Sequence, residues 1–293
     1  MTLVVDGHHH FWDPARHSYP WMSDELATIR RRFGPEDLRP LLAANGVDRT
    51  VVVQTISSAE ETREFLATAR DIDFVAGVVG WVDLADPSIG RTLAQLRAGP
   101  GGAFLVGIRH QVHDEPDAEW LMRKDVQRGI QAVGEAGLVY ELLVRTRELP
   151  AALEVVRRLP EVRFVIDHLA KPRIAGGAVD PEWERAMAPF SDCANVACKL
   201  SGMVTEASWS EWTPDDLAPF VRRALGWFGT ARCMFGTDWP VCLLAATYGQ
   251  VVGALRYAVS DLVPADQDAI FGGNAIRVFG LPVSDDVHQA PHP

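Results

Sequence analysis

The chain has 293 residues, 47% of them hydrophobic, with 28 Lys and Arg against 39 Asp and Glu and a formal net charge of −11. That length can bury one large α/β core or two small ones. The charge argues against nucleic acid and anionic membranes as partners, and no apolar run reaches the roughly 18 residues that suggest a membrane span, so a soluble cytoplasmic protein acting on a small molecule is expected.

The first element is a short apolar strand at residues 3–8 that runs into His8, His9 and His10. Side chains two apart on a strand share a face, so His8 and His10 can reach one ion or one substrate, with Asp6 behind them. A long connection at 13–40 follows, holding Tyr19-Pro20-Trp21-Met22 and a short helix. Further strands are predicted at 49–54, 74–83, 104–110, 138–144, 163–168, 195–202 and 233–240. Helical spacing separates them at 59–71, 87–97, 124–136, 149–159, 183–190 and 215–228, as with Phe65, Leu66 and Ala69 in the first of these. Terminal helices are expected at 260–272 and 274–279, and a disordered tail at 283–293, leaving one domain over 1–282. The cysteines Cys193, Cys198, Cys233 and Cys242 form no CxxC pair and read as buried, reduced packing residues.

Eight strands alternating with helices predict an α/β fold, a single-domain (β/α)8 TIM barrel with a long loop after its first strand. A doubly wound dinucleotide sheet would carry a glycine-rich turn after that strand, where this chain has histidines, phenylalanine and tryptophan. Neither a phosphate-cradling P-loop nor a nucleophile elbow is present.

Active sites of such barrels sit at the strand C-termini. Polar residues fall there repeatedly: His8 and His10, Gln54, Trp81 and Asp83, Arg109 and His110, Glu141, Asp167 and His168, Lys199 and Ser201, Thr237 and Asp238. Each has a structural alternative. Glu141 can pair with Arg109 or Arg145, Lys199 can reach the surface, and strand alternation turns Asp167 away from the pocket that His168 faces. For hydrolysis, Asp238 is the leading base. The electrophile is either a divalent metal held by His8, His10 and His168 with Asp238, or direct donors such as Arg109, Lys199 or a protonated histidine. Imidazole with carboxylate suits zinc.

These residues resemble the amidohydrolase superfamily, whose barrels carry His-x-His on strand one, a later histidine, and an aspartate ending strand eight. Over residues 4–281 the chain is similar to the amidohydrolase-2 lactonase branch, which includes L-fucono-lactonase, L-rhamnono-lactonase and 2-pyrone-4,6-dicarboxylate lactonase types. The stretches that carry the resemblance are Asp6-Gly7-His8-His9-His10-Phe11-Trp12-Asp13-Pro14, Asp167-His168-Leu169-Ala170-Lys171-Pro172 and Phe235-Gly236-Thr237-Asp238-Trp239-Pro240-Val241-Cys242. It implies opening of a sugar aldonolactone, with Asp238 as base and acid and with His8, His10 and His168 stabilising the oxyanion. Zero or one divalent ion is implied, zinc if one is present. Arg109-His110 and Glu141 stand where binuclear members place metal ligands. Substrate contacts are expected from Trp12, Tyr19, Trp21, Gln54, Trp81, Arg109, Glu141, Lys199 and Trp239, and Glu141 favours a neutral polyhydroxyl ligand. The alternatives are a metal-dependent decarboxylase, hydrolysis of a carboxylated pyrone or muconolactone, or a binding module. A homo-oligomer stays open.

Overall fold

Valine-rich runs such as Arg49–Val53 and Val75–Gly80 are almost wholly buried, as strands covered on both faces must be. They belong to a sheet whose strands are β1 (Val5–His9), β2 (Arg49–Val53), β3 (Val75–Gly80), β4 (Leu105–His110), β5 (Val139–Leu142), β6 (Arg163–Ile166), β7 (Val196–Leu200) and β8 (Cys233–Phe235). The computed structural model describes residues 3–175 and 178–282, and within it neighbouring strands pair in parallel in chain order. The ring closes where His10 N donates to Trp239 O at 2.7 Å and Asp238 N donates to His8 O at 2.8 Å. The result is the expected (β/α)8 barrel.

The helices around it are α1 (Pro35–Asn45), α2 (Ala59–Asp71), α3 (Ile89–Ala98), α4 (Lys124–Glu135), α5 (Leu149–Arg158), α6 (Pro181–Met187), α7 (Met203–Glu206), α8 (Pro214–Phe228), α9 (Tyr248–Ala258), α10 (Pro264–Asp268) and α11 (Asn274–Phe279). Ser58 caps α2 by accepting from Glu60 N and Glu61 N, and Thr247 opens α9 in a capping box with Gln250. Besides the four-residue α7, two of these helices escape the sequence pattern. Helix α1 carries Pro40 internally, and α9 carries Gly249 and Gly253, residues that weaken a helical reading although tertiary packing holds both segments. The short helix expected in the long first connection is a 3-10 turn at Asp24–Ile29. The helix expected at 260–272 starts only at Pro264. The predicted tail at 283–293 lies outside the described residues.

An apolar floor fills the barrel. Val5, Val51, Val139, Val165, Ala197 and Met234 pack with Val278, Phe279 and Leu281. Helix α11 closes the end where strands begin, since Val278 O accepts from Arg163 Nη1 at 2.6 Å at the first residue of β6. All four cysteines are buried and unpaired. Among the described residues, no helix is long and apolar enough to cross a membrane.

Burial of two imidazoles gives the fold an acid limit. His9 bonds Thr50 Oγ1 at 2.9 Å, and burial lowers its pKa to about 3. His113 is lowered to about 3, by burial first and then by the charges of Lys171 and Arg145. Both rings are neutral when folded and take up protons on unfolding, so their stability contribution is complete above about pH 6.5 and is lost as pH falls toward 3. Asp6 opposes them only below about pH 6, the value to which burial raises it. Melting temperature is therefore expected to fall between pH 6.5 and 4 in differential scanning calorimetry. A flat or rising profile would contradict two neutral buried rings.

Candidate active site

The site forms where β1 and β8 meet. Asp6 ties the two strands: Oδ1 accepts from His8 N at 3.1 Å and Thr237 N at 2.9 Å, while Oδ2 accepts from Thr237 Oγ1 at 2.5 Å and Tyr248 Oη at 3.0 Å. This fixes the turn that presents Asp238, whose φ of 58° is the left-handed conformation that functional sites often hold. Gly236 allows the strands to approach, because a Cβ there would lie 2.8 Å from His8 Cβ.

His8 Nε2 and His10 Nε2 face each other at 3.2 Å, and Asp238 Oδ1 lies 3.3 Å from His10 Nε2 and 3.8 Å from His8 Nε2. His10 Nδ1 sits 2.7 Å from Val53 O. A carbonyl only accepts, so His10 carries its proton on Nδ1 and turns a lone pair toward Asp238. His168 joins from β6, its Nε2 3.9 Å from Asp238 Oδ1 and its Nδ1 2.8 Å from Ser201 Oγ. Burial lowers His168 to about 4 and holds His8 well below its ordinary value, so both rings are neutral. Burial alone would raise the Asp238 carboxyl, but positive charge on the His168 or His10 ring when either is protonated, and on Lys171, outweighs it and holds the carboxyl below its ordinary range.

Two lone-pair groups, His10 Nε2 and Asp238 Oδ1, therefore converge with His8 Nε2 on one point. That arrangement calls for a positive centre, either a proton or a cation. His8, His10 and Asp238 each offer a donor atom within 4.8 Å of the others. Tetrahedral zinc with bonds of about 2.0–2.1 Å spaces its ligands by roughly 3.3 Å, so the donor set fits such an ion.

Below this layer lies a buried charge network. On β5, β6 and β7 the interior residues Val139, Val165 and Ala197 are each followed two positions later by Glu141, Asp167 and Lys199. Lys199 Nζ bonds Glu141 Oε1, lies 3.1 Å from Asp167 Oδ1 and 3.0 Å from His8 Nδ1. Arg109 Nη1 donates to Asp167 Oδ2 at 3.0 Å, and its Nε and Nη2 donate to Gln54 Oε1 at 3.1 and 2.8 Å. Burial and the Asp167 charge push Glu141 up, whereas Lys199, His8 and Arg109 hold Asp167 low against its own burial.

Three expectations are corrected here. Asp167 points inward, because it continues the face of Val165. His168 comes in beside it because residues His168 to Lys171 all take positive φ, between 52° and 57°, and strand alternation ends there. Glu141 pairs with Lys199, not with Arg109 or Arg145, and Lys199 is fully buried rather than drawn to the surface.

Above the histidines opens a cavity of about 140 Å3, lined by His10, Trp21, Thr55, Arg109, Gln111, His113, Asp114, Leu143, His168, Lys171, Asp238 and Val241. Of the expected substrate contacts, Trp21 and Arg109 line it. Gln54 holds Arg109 from behind, and Glu141 and Lys199 form its support. Trp239 packs on Phe11 and Phe33, and Trp81 donates its indole N–H to His110 Nδ1 at 3.0 Å. Trp12 and Tyr19 line a separate cavity of about 670 Å3 between the first connection and α2, which contains none of the converging donors. The sequence reading missed Thr55, Gln111, His113, Asp114 and Lys171. Their positions just past β2, β4 and β6 were the available signal.

Gly202 has φ 63°, and a Cβ there would lie 2.6 Å from His168 Nδ1. Gly202→Ala is expected to displace the His168 ring and strain the turn by ~1 kcal/mol or more. His168 ring signals would shift in NMR spectra while the melting temperature moved by only a few degrees. An unmoved ring would mean that the backbone yields instead.

The amidohydrolase family profile matches residues 5–281. The chain is 41% identical over 287 residues to an L-fucono-1,5-lactonase of Burkholderia ambifaria, covering 96% of this chain and 97% of that one. It is 36% identical over 295 residues to an L-fucono-1,5-lactonase of Burkholderia multivorans, covering 97% and 98%. A crystal structure of an amidohydrolase from Burkholderia multivorans with bound zinc superposes with a TM-score of 0.90 at 35% identity, covering 96% of this chain and all of that one. The chain belongs to the amidohydrolase family.

Proposed function

We propose that this enzyme opens a sugar lactone to the hydroxy acid by attack of water on the ring ester. The observation that carries the reading is the convergence of an ionised Asp238 with His10 and His168 at the floor of a cavity that mixes charged and hydrogen-bonding side chains with Trp21, Leu143 and Val241. The named activity of the two lactonases, aligned along almost their full length, supports the substrate class.

Asp238 takes a proton from the attacking water and returns it to the ring oxygen as the ester opens. Its depressed pKa keeps it ionised at neutral pH, and its place beside His10 and His168 sets the direction of attack. Arg109 and Lys171 supply positive charge in the cavity wall for the developing oxyanion. Lys171 is held by Glu206 at 2.7 Å, and Arg109 by Gln54 and Asp167, so neither needs to reorganise. Trp21, its indole N–H bonded to Thr55 O at 3.0 Å, offers an aromatic face to the C–H side of a sugar ring. Gln111, His113 and Asp114 offer partners for hydroxyls. His8, His10 and Asp238 would hold a divalent ion, zinc by donor type, and His168 stands beside that set. When bound, such an ion polarises the carbonyl and acidifies water. The four unpaired cysteines fit a reducing compartment such as the cytoplasm.

The test is a panel of aldono-1,5- and 1,4-lactones in weak buffer with a pH indicator. Acid release specific to one configuration is expected. No acid release from any sugar lactone, with carbon dioxide released from an aromatic acid instead, would replace this reading by decarboxylation.

A further inference from the structure

Each nitrogen of the His8 ring faces a cationic donor. Lys199 Nζ is 3.0 Å from Nδ1, and Arg109 Nη1 is 3.3 Å from Nε2. A neutral imidazole has one lone pair, so it can accept from only one of them. Two observations decide between them. Lys199 makes the closer approach, 3.0 Å against 3.3 Å for Arg109 Nη1. The Nε2 side also faces the His10 lone pair at 3.2 Å and the Asp238 carboxylate at 3.8 Å, two acceptors that require a donor between them. A proton on Nδ1 would leave three acceptors facing one another and set that N–H against the Lys199 ammonium.

We propose that Lys199 is a positioning residue that holds the His8 proton on Nε2, in the space a metal ion would otherwise occupy. The donor chain then runs in one direction, from Lys199 to His8, from His8 to His10, and from His10 to Val53 O. Lys199 bonds Glu141 Oε1 and His8 Nδ1 and forms an ion pair with Asp167 Oδ1 at 3.1 Å, so its charge is compensated in a fully buried position. A divalent ion at His8, His10 and Asp238 needs the His8 proton moved to Nδ1. There it meets Asp167 Oδ1 at 3.5 Å, but also Lys199 donor against donor. Proton and metal thus compete for one position, and Lys199 favours the proton. The role differs from substrate contact, since Lys199 is wholly buried beneath the cavity.

The inference does not depend on the lactone reading, because its readouts are a ring tautomer and a zinc affinity. Long-range 1H–15N spectra of the metal-free wild-type protein, assigned with His8→Gln, should show His8 protonated on Nε2. Zinc affinity, measured by competition with a chromogenic chelator, should tighten roughly tenfold to a hundredfold in the double variant Lys199→Met/Glu141→Gln. That variant removes both charges of the pair together and avoids stranding one. A wild-type His8 protonated on Nδ1, or a zinc affinity unchanged in a folded double variant, would overturn the proposal. The wild-type spectrum decides the matter if the double variant fails to fold.

Discussion

Asp238→Asn should reduce turnover of a lactone substrate by roughly a hundredfold to ten-thousandfold, the usual contribution of a positioned general base. The amide has nearly the same shape as the carboxylate, and the turn is held by backbone bonds and by Asp6, not by the Asp238 side chain. Asp238 N donates to His8 O and Cys242 N donates to Asp238 O at 2.9 Å, and neither bond is touched by the change. What is lost is the acceptor of the water's proton and its later return to the ring oxygen. The wild-type profile carries the same signature. Asp238 is held below its ordinary range and His168 is lowered to about 4, so both stay deprotonated as the pH falls through the ordinary histidine range. The rate constant kcat/KM should stay level from pH 7 to about 5 and begin to decline as the pH approaches 4, where His168 takes up a proton, with protonation of Asp238 following at lower pH. Stopped-flow or indicator assays on the lactone chosen by the panel would measure both. Near-normal turnover by the asparagine variant would remove Asp238 from the role of base.

Asp6→Ala should produce the largest loss of stability. Four donors end on this carboxylate: His8 N, Thr237 N, Thr237 Oγ1 and Tyr248 Oη. All lie in the interior, and a buried donor left without a partner costs ~1–3 kcal/mol. Even with partial relaxation the variant should lose at least about 3 kcal/mol in urea denaturation. Asp6→Asn keeps one carbonyl oxygen and should fall between. The loss should be joined by misplacement of His8 and Asp238, because Asp6 sets the spacing of both strands. A variant within 1 kcal/mol of wild type would show that Tyr248 and Thr237 find other partners.

The legible and illegible parts of this protein divide along a physical line. Strands such as Arg49–Val53 and helices such as Ala59–Asp71 could be read because their cause is local: buried β-branched runs, helical spacing and a capping serine. Helices α1 and α9 were hidden because their proline and glycines argue locally against what packing enforces. In the site, His8, His10 and Asp238 could be placed together from the barrel rule alone, since every strand delivers its end to the same mouth. Trp12, Tyr19 and Trp239 could not be assigned, because aromatic residues near a mouth pack outward as readily as they line it.

By itself, then, the sequence determined a parallel barrel and the group of residues that gathers at its C-terminal end, because strand order and residue period are properties of the chain. Only the tertiary structure decided direction and depth. Four successive left-handed residues after β6 bring both Asp167 and His168 inward, where alternation would allow one. Lys199 and Glu141 neutralise each other beneath the floor, a pairing across β5 and β7 that no local pattern records. The strand-one histidines were visible from the start. Which hydrogen each ring carries is set by Val53 and Lys199, which lie 43 and 191 residues away in the chain and reach them only through closure of the barrel.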